Sequence, residues 1–380
     1  MKIHINNLNK FFNRLYLIGF IVLSIGIPLA FSSLTRSVFE VNKLLILRLV
    51  IIFIYGAWIV KSCLLKDNNF MFEKNQCFEL FGFRWRRIGL EIPVLLLIIT
   101  NLISIALSKN IFIGYIGAYD RWESLATVAN YILLFYMSAK LIDNTKYRIL
   151  IFCICLFSTS ISSIYGIIQS LGIDFMNWSK SPTSRVFACI NNPVHFCAYV
   201  AMIVPIGISL MFYKLRNLYE KSVDFIHTKL NIYSTFTAFI ALLVIPITFP
   251  SIMSLVYLQF LLFILLGSYI LYHYISIIPT KKNAVQMIAF IALFILCNVF
   301  DLYFLNRFQT TALAFSLLSF FCLSAWGNKS LFMYRLISAA TILVFYSMIL
   351  SFSRATLVGF SISISFFFQC ILQRKENIFS

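Results

Sequence analysis

Apolar runs follow one another along almost the whole chain, separated by short polar and basic stretches, and about 20 apolar residues are what an α-helix needs to cross a bilayer. Twelve such runs are predicted, at 15–34, 44–60, 90–108, 125–142, 149–171, 195–213, 235–250, 252–278, 284–305, 309–327, 336–352 and 355–372. The 235–278 block is divided at Phe249-Pro250, where proline interrupts a helical pattern. The expected fold is therefore all-α, a polytopic transmembrane helix bundle of about 12 spans forming one integral membrane domain over residues 1–380.

Lysine and arginine orient such a bundle, because cytoplasmic loops carry an excess of them. With the N-terminus inside, 22 of the 31 basic residues fall on the cytoplasmic side. The other nine are Arg36, Lys43, Arg48, Lys109, Arg121, Lys180, Arg185, Arg307 and Arg354. That bias predicts both termini in the cytoplasm, outer loops at 109–124, 172–194 and 351–355, and a cytoplasmic loop at 61–89. Within the last, Arg84-Trp85-Arg86-Arg87 reads as a lipid-headgroup anchor.

Composition agrees with the pattern: 61% hydrophobic residues, 12% charged and a mean hydropathy of +0.90 lie outside the range of soluble globular chains. A net charge of +18 would suggest nucleic acid in a soluble domain. Here most of it sits in short loops as a topology signal, so nucleic-acid binding is rejected. The nine cysteines show no metal-ligand spacing, and Cys189 and Cys197, flanking one loop-to-helix junction, are read as two thiols rather than a disulfide. Thirteen acids spread over the chain give no carboxylate pair or histidine cluster for a metal, and no phosphate-binding or dinucleotide glycine motif occurs. No cofactor and no metal are expected.

The polar interruption with the most chemistry is Gly172–Pro205, a basic loop that runs through Asn-Asn-Pro into an apolar helix. Asn192 is a good helix cap with Pro193 at the first helical position, and the free N–H groups of such a turn favour an anion; capping alone explains the pattern equally well. His195, just inside that helix, is either a general-base candidate or a structural, hydrogen-bonded histidine. Two further outer stretches combine an arginine with polar groups: Gly117–Glu123, holding Asp120, Arg121 and Glu123, and Ser351–Ala355, holding Ser353 and Arg354. Arg36, Lys43, Lys109 and Arg307 read as side chains snorkelling to headgroups, and Arg48 either snorkels or faces the bundle.

These three stretches resemble, in order, motifs of the O-antigen ligase and O-antigen polymerase superfamily of bacterial cell-envelope proteins. Gly117-Ala-Tyr-Asp-Arg-Trp-Glu-Ser resembles its Gly-Ser/Thr-x-x-Arg-x-Glu-Gly segment, and Arg185-Val-Phe-Ala-Cys-Ile-Asn-Asn-Pro-Val-His-Phe-Cys-Ala-Tyr its Arg-Val-x-Gly-x-x-x-Asn-Pro-Asn-His-Phe-x-Ala-Tyr loop. Ser353-Arg354-Ala355 resembles its Ser-Arg-Gly/Ala at the start of a later span. The chain departs from the pattern in having Val194 for asparagine and Ala188 for glycine, and Ser380 comes before the family's large late loop with a further arginine and histidine.

The resemblance implies a multi-pass protein of the bacterial inner membrane that transfers a glycan, outside the membrane, from a polyprenyl-diphosphate carrier to a hydroxyl on a lipid or glycan acceptor, as in lipopolysaccharide assembly. Cations for the leaving diphosphate and a base for the hydroxyl suffice for such a metal-independent glycosyltransferase. Arg185, Arg354 and His195 are then the expected catalytic residues, with Arg121, Asp120, Glu123, Asn192 and Ser353 binding substrate. Two alternatives stay open. One is a transporter for bicarbonate or another small anion, which relatives in the superfamily also suggest and for which Arg48 and Glu91 are the only visible intramembrane charges; the other is a shortened, inactive ligase remnant.

Overall fold

A computed structural model describes residues 2–65, 77–80, 83–119, 121–141, 144–176, 178, 181–220, 329–351, 353–356, 358–360 and 362–363. Four of the twelve expected spans, at 235–250, 252–278, 284–305 and 309–327, lie outside the described residues, as do Asp120, Lys180 and Arg307. The helices are α1 (Lys2–Leu29), α2 (Glu40–Leu65), α3 (Glu91–Ala106), α4 (Ile111–Ile116), α5 (Leu125–Leu141), α6 (Thr145–Ser170), α7 (Pro193–Glu220) and α8 (Lys329–Leu350). Residues 354–356, 358–360 and 362–363 are helical as well. Four stretches are long and apolar enough to cross a membrane: Asn7–Leu29, Glu40–Leu64, Thr145–Ser170 and Pro193–Lys214. Shorter apolar helices cover Glu91–Ala106, Leu125–Ala139 and Leu336–Leu350.

Two elements fall where loops are expected. A two-stranded antiparallel hairpin, β1 (Cys77–Leu80) and β2 (Phe83–Arg86), occupies part of the 61–89 segment in the register Phe78↔Trp85 and Glu79↔Arg84. Arg84 and Arg86 thus stand on a strand rather than in a free basic run. The second is α4, inside the 109–124 loop, where Asn110 caps the helix through N–H groups of Phe112 and Ile113 (3.1 and 3.3 Å). Its six residues are too few for a periodicity to show in the sequence.

The chain forms two compact units, Met1–Ser158 and Thr159–Ser380, and their boundary falls within α6. In the first unit Phe12, Tyr16, Phe20 and Leu23 recur at helical spacing on α1 and bury against Leu47, Val50, Ile51, Ile54 and Trp58 of α2. Gly19 and Gly26, seven residues apart on one face of α1, let the helices close: a β-carbon at Gly19 would stand 2.7 Å from Ile54 Cγ1 and one at Gly26 3.0 Å from Ile46 Cγ2. Tyr55 donates its hydroxyl to the Leu133 carbonyl of α5 (2.8 Å), and Ser158 of α6 donates to the Ser24 carbonyl of α1 (2.6 Å). The opposite faces are apolar and exposed, with Leu49, Ile52 and Leu64 on α2, while α3 buries no residue at all. Such apolar exteriors are what lipid covers in a helical membrane protein.

In the second unit α8 is buried on every side from Ile337 to Met348. Gly207 of α7 sets its approach: a β-carbon there would lie 2.7 Å from Thr341 Cγ2 and 3.0 Å from Thr341 Cβ. Hydroxyl groups fasten the seam. Ser160 of α6 donates to the Ala340 carbonyl (3.3 Å), Ser347 of α8 to Ser163 of α6 (2.8 Å), and Thr159 of α6 shares a hydrogen bond with Tyr199 of α7 (3.0 Å). Interhelical hydrogen bonds of this kind are favourable where no water competes for them.

Candidate functional site

The loop carrying Arg185 begins where α6 stops. Gly172 adopts a left-handed conformation (φ +73°) and Ile173 N–H reaches back to the Ile168 carbonyl (3.3 Å), a glycine-terminated helix end. Asp174 then gathers three donors: Tyr165 hydroxyl on its Oδ1 (2.9 Å), Met176 N–H on the same oxygen (3.0 Å) and Trp178 Nε1–H on Oδ2 (2.7 Å). Trp178 in turn packs edge-on against Phe187 at 5.4 Å. The acid thereby ties the start of the loop to α6 and, through one indole, to the residues around Arg185.

Those residues are folded down onto α6 and α8. Gly166 admits them: a β-carbon there would meet Val186 Cγ1 at 2.7 Å and Ala188 Cβ at 3.3 Å. Ala188, fully buried, lies in the left-handed region (φ +46°) and donates its N–H to Gln169 Oε1 (2.8 Å). A residue with a β-carbon is disfavoured there. Val186 N–H reaches the Leu350 carbonyl (3.3 Å), and Arg185 donates its Nε–H to the Ser351 carbonyl (3.2 Å).

Beyond a second left-handed residue, Asn191 (φ +62°), the chain enters α7 as its sequence indicates. Asn192 accepts the Val194 N–H on its side-chain oxygen (2.9 Å) and the Phe196 N–H on its carbonyl (2.9 Å), and Pro193 is the first helical residue. His195 is exposed on this first turn. Two residues on, the buried Cys197 thiol points at the Met348 carbonyl (3.6 Å), so no disulfide joins it to Cys189. The same Met348 carbonyl accepts the Ser351 hydroxyl (2.7 Å), closing the end of α8. Ser353, buried, shares a hydrogen bond with Thr356 (3.0 Å) and precedes the helical turn that Arg354 opens; Arg354 is exposed.

Two stretches 166 residues apart are therefore in contact, and Arg185, Asn192, His195, Ser353 and Arg354 all belong to them. Arg354 lies three positions beyond Ser351, whose carbonyl Arg185 holds, so their Cα atoms are at most about 11 Å apart. Arg185, His195 and Arg354 are all exposed on these two stretches, and guanidiniums are the side-chain donors that match an oxyanion.

Arg121 and Glu123 belong to the first unit, in a turn of fixed geometry. Trp122 is left-handed (φ +55°), its N–H bonds the Ala118 carbonyl (2.9 Å) and its carbonyl accepts the Thr127 hydroxyl (2.7 Å). Gly117 (φ +104°) is required, since a β-carbon would stand 2.7 Å from the Trp122 Cα. Ser124 caps α5 by accepting the Thr127 N–H (3.3 Å). Arg121 and Glu123 are both exposed. Arg36, read from sequence as snorkelling to headgroups, lies with its Cζ 5.6 Å from the centre of the Tyr119 ring. Glu91, the first residue of α3, accepts the Ile88 and Gly89 N–H groups of the turn before the helix, and Arg48 is half-buried on α2.

Asp174, Gln169, Tyr165 and Gly166 were not singled out from the sequence. Gln169 carried a signal, because an amide inside an apolar span needs a hydrogen-bond partner; Asp174 carried one only in following a helix-ending glycine. Four apolar helices long enough to cross a membrane mark a helical membrane protein, in which Arg185 and Arg354 are exposed where the loop before α7 meets the end of α8. No family model matches the chain, and neither a curated protein nor a solved structure does.

Proposed function

We propose that this chain is a multi-pass protein of the bacterial inner membrane, with about twelve spans and both termini cytoplasmic. Its activity in this reading is transfer of a glycan from a polyprenyl-diphosphate carrier to a hydroxyl group of a lipid or glycan acceptor. Arg185 and Arg354 hold the diphosphate and His195 takes the proton of the acceptor hydroxyl. The hydroxyl oxygen bonds to the anomeric carbon as the bond from that carbon to the diphosphate oxygen breaks, and the electron pair leaves with the polyprenyl diphosphate. Arg121, Asp120, Glu123, Asn192 and Ser353 contribute to substrate binding.

The observation that supports this reading is the Arg185–Ser351 hydrogen bond, because it joins two of the three stretches on which the family resemblance rests. Arginine suits the role: with its Nε–H committed to a carbonyl, a guanidinium still has two terminal nitrogens for phosphate oxygens. Deleting the gene tests it. A lipid-linked glycan accumulates while the mature surface polymer is lost or shortened; unchanged glycans with altered inorganic-carbon uptake would replace this reading with a transporter.

A further inference from the structure

At one end of the first unit, two loops meet through side chains rather than backbone. The loop after α1 is held in shape by Asn42, whose Nδ2 donates to the Val38 carbonyl (2.8 Å) and the Thr35 hydroxyl (3.0 Å), and by Ser32 N–H on the Val38 carbonyl (2.9 Å). It presents Arg36 over Tyr119, whose ring packs edge-on to Trp122 at 5.9 Å. Tyr119 remains 58% exposed with the guanidinium lying over one face. Arg121, between the two aromatics, is exposed too. Trp122 Nε1–H is buried without an acceptor among the described residues.

This turn is costly to build, since a tryptophan in the left-handed region is a backbone outlier and its partner position admits only glycine. The Arg36 guanidinium is exposed over the ring, and the planar fork of an arginine matches two phosphate oxygens. Tyrosine and tryptophan at the end of apolar helices mark the depth of lipid headgroups.

The geometry points to a phosphate-binding site for a membrane lipid, formed by the exposed Arg36 guanidinium over the Tyr119 ring and by the exposed Arg121 two residues further along the same turn. It deepens the role proposed for Arg121 and rests on it. The phosphate comes either from an anionic phospholipid or from the polyprenyl-diphosphate carrier.

Native mass spectrometry of the purified, delipidated full chain in detergent tests the site with three added lipids: dioleoyl phosphatidylglycerol, polyprenyl diphosphate and phosphate-free dioleoylglycerol. Phosphate lipid binds and dioleoylglycerol does not. Arg36→Gln and Arg121→Gln each weaken that binding about tenfold, as expected for a lost charge-assisted bond, while Lys146→Gln leaves it unchanged. Arg36→Lys keeps a cation over the ring but lacks the fork, and weakens binding in the same direction, so a poorly folded glutamine variant does not blunt the test. Equal binding of the two phosphate lipids assigns the site to bilayer lipid, and preference for polyprenyl diphosphate assigns it to the carrier. Binding of dioleoylglycerol as tight as that of the phosphate lipids, arginine variants that bind like the natural chain, or no lipid bound at all would overturn the inference. Glycan transfer is scored separately in cells: transfer without phosphate-lipid binding removes this site alone, and binding without transfer removes the proposed function alone.

Discussion

Arg185 donates its Nε–H to the carbonyl of Ser351, 3.2 Å away and 166 residues further along the chain. Since Val186 N–H reaches the neighbouring Leu350 carbonyl, the loop before α7 and the end of α8 share a two-bond clamp. The end of α8 therefore positions the loop, and each strained or crowded residue under the loop becomes a test of that packing.

Ala188 is the first. Its left-handed φ of +46° costs a β-carbon roughly 1–2 kcal/mol, against about 0.5–1 kcal/mol lost when glycine is introduced into a folded position. Ala188→Gly is expected to stabilise the protein by up to about 1 kcal/mol. Ala188→Val, branched and pressed against Gly166, is expected to destabilise it by more than about 2 kcal/mol. Thermal unfolding in detergent ranks the three; a valine variant as stable as the natural chain contradicts the geometry.

Gly207 and Thr341 form the second. Gly207→Ala drives a β-carbon to 2.7 Å from Thr341 Cγ2 and is expected to cost about 1–3 kcal/mol by overpacking. Adding Thr341→Ala removes the two nearest atoms, Oγ1 and Cγ2, leaving only Cβ at 3.0 Å, and should restore part of the loss. Additive effects of the two changes in the same unfolding assay would mean that the helices do not meet at this pair.

Asp174 holds the loop by its other end. Asp174→Ala removes the carboxylate that accepts from the Tyr165 hydroxyl and the Trp178 Nε1–H, an expected loss of about 1–3 kcal/mol. Limited proteolysis of membranes should then cut within 172–192 at protease concentrations that spare the natural protein. Equal resistance would show that Asp174 does not restrain the loop.

Much of this was legible before any coordinates. Runs of about 20 apolar residues locate α1, α2, α6 and α7, and Asn192-Pro193 marks the start of α7 because the cap and the missing proline N–H are local chemistry. Asp174 and Gly166 were not legible, since their partners are Trp178 and Val186 in a folded loop with no periodicity. The place of Arg36 over Tyr119 was not legible either, since it depends on a loop 83 residues away, whereas snorkelling to headgroups is read from the neighbouring sequence alone. The β1–β2 hairpin was not legible because its strands are only four residues long, and β2 overlaps the basic run Arg84–Arg87.

Transfer by the Arg354→Lys and Arg185→Lys proteins tests the central claim most directly. Lysine would satisfy headgroup snorkelling nearly as well as arginine, but it cannot hold a carbonyl through Nε while gripping phosphate oxygens with a planar fork. The measurement is lipid-linked glycan consumed and mature polymer formed in cells carrying each variant at equal membrane abundance, with Lys146→Gln as the control. The account predicts that both lysine variants insert and fold yet fall by at least about a hundredfold in transfer, the equivalent of roughly 2.7 kcal/mol of lost transition-state binding. Normal transfer by the Arg354→Lys protein would contradict it.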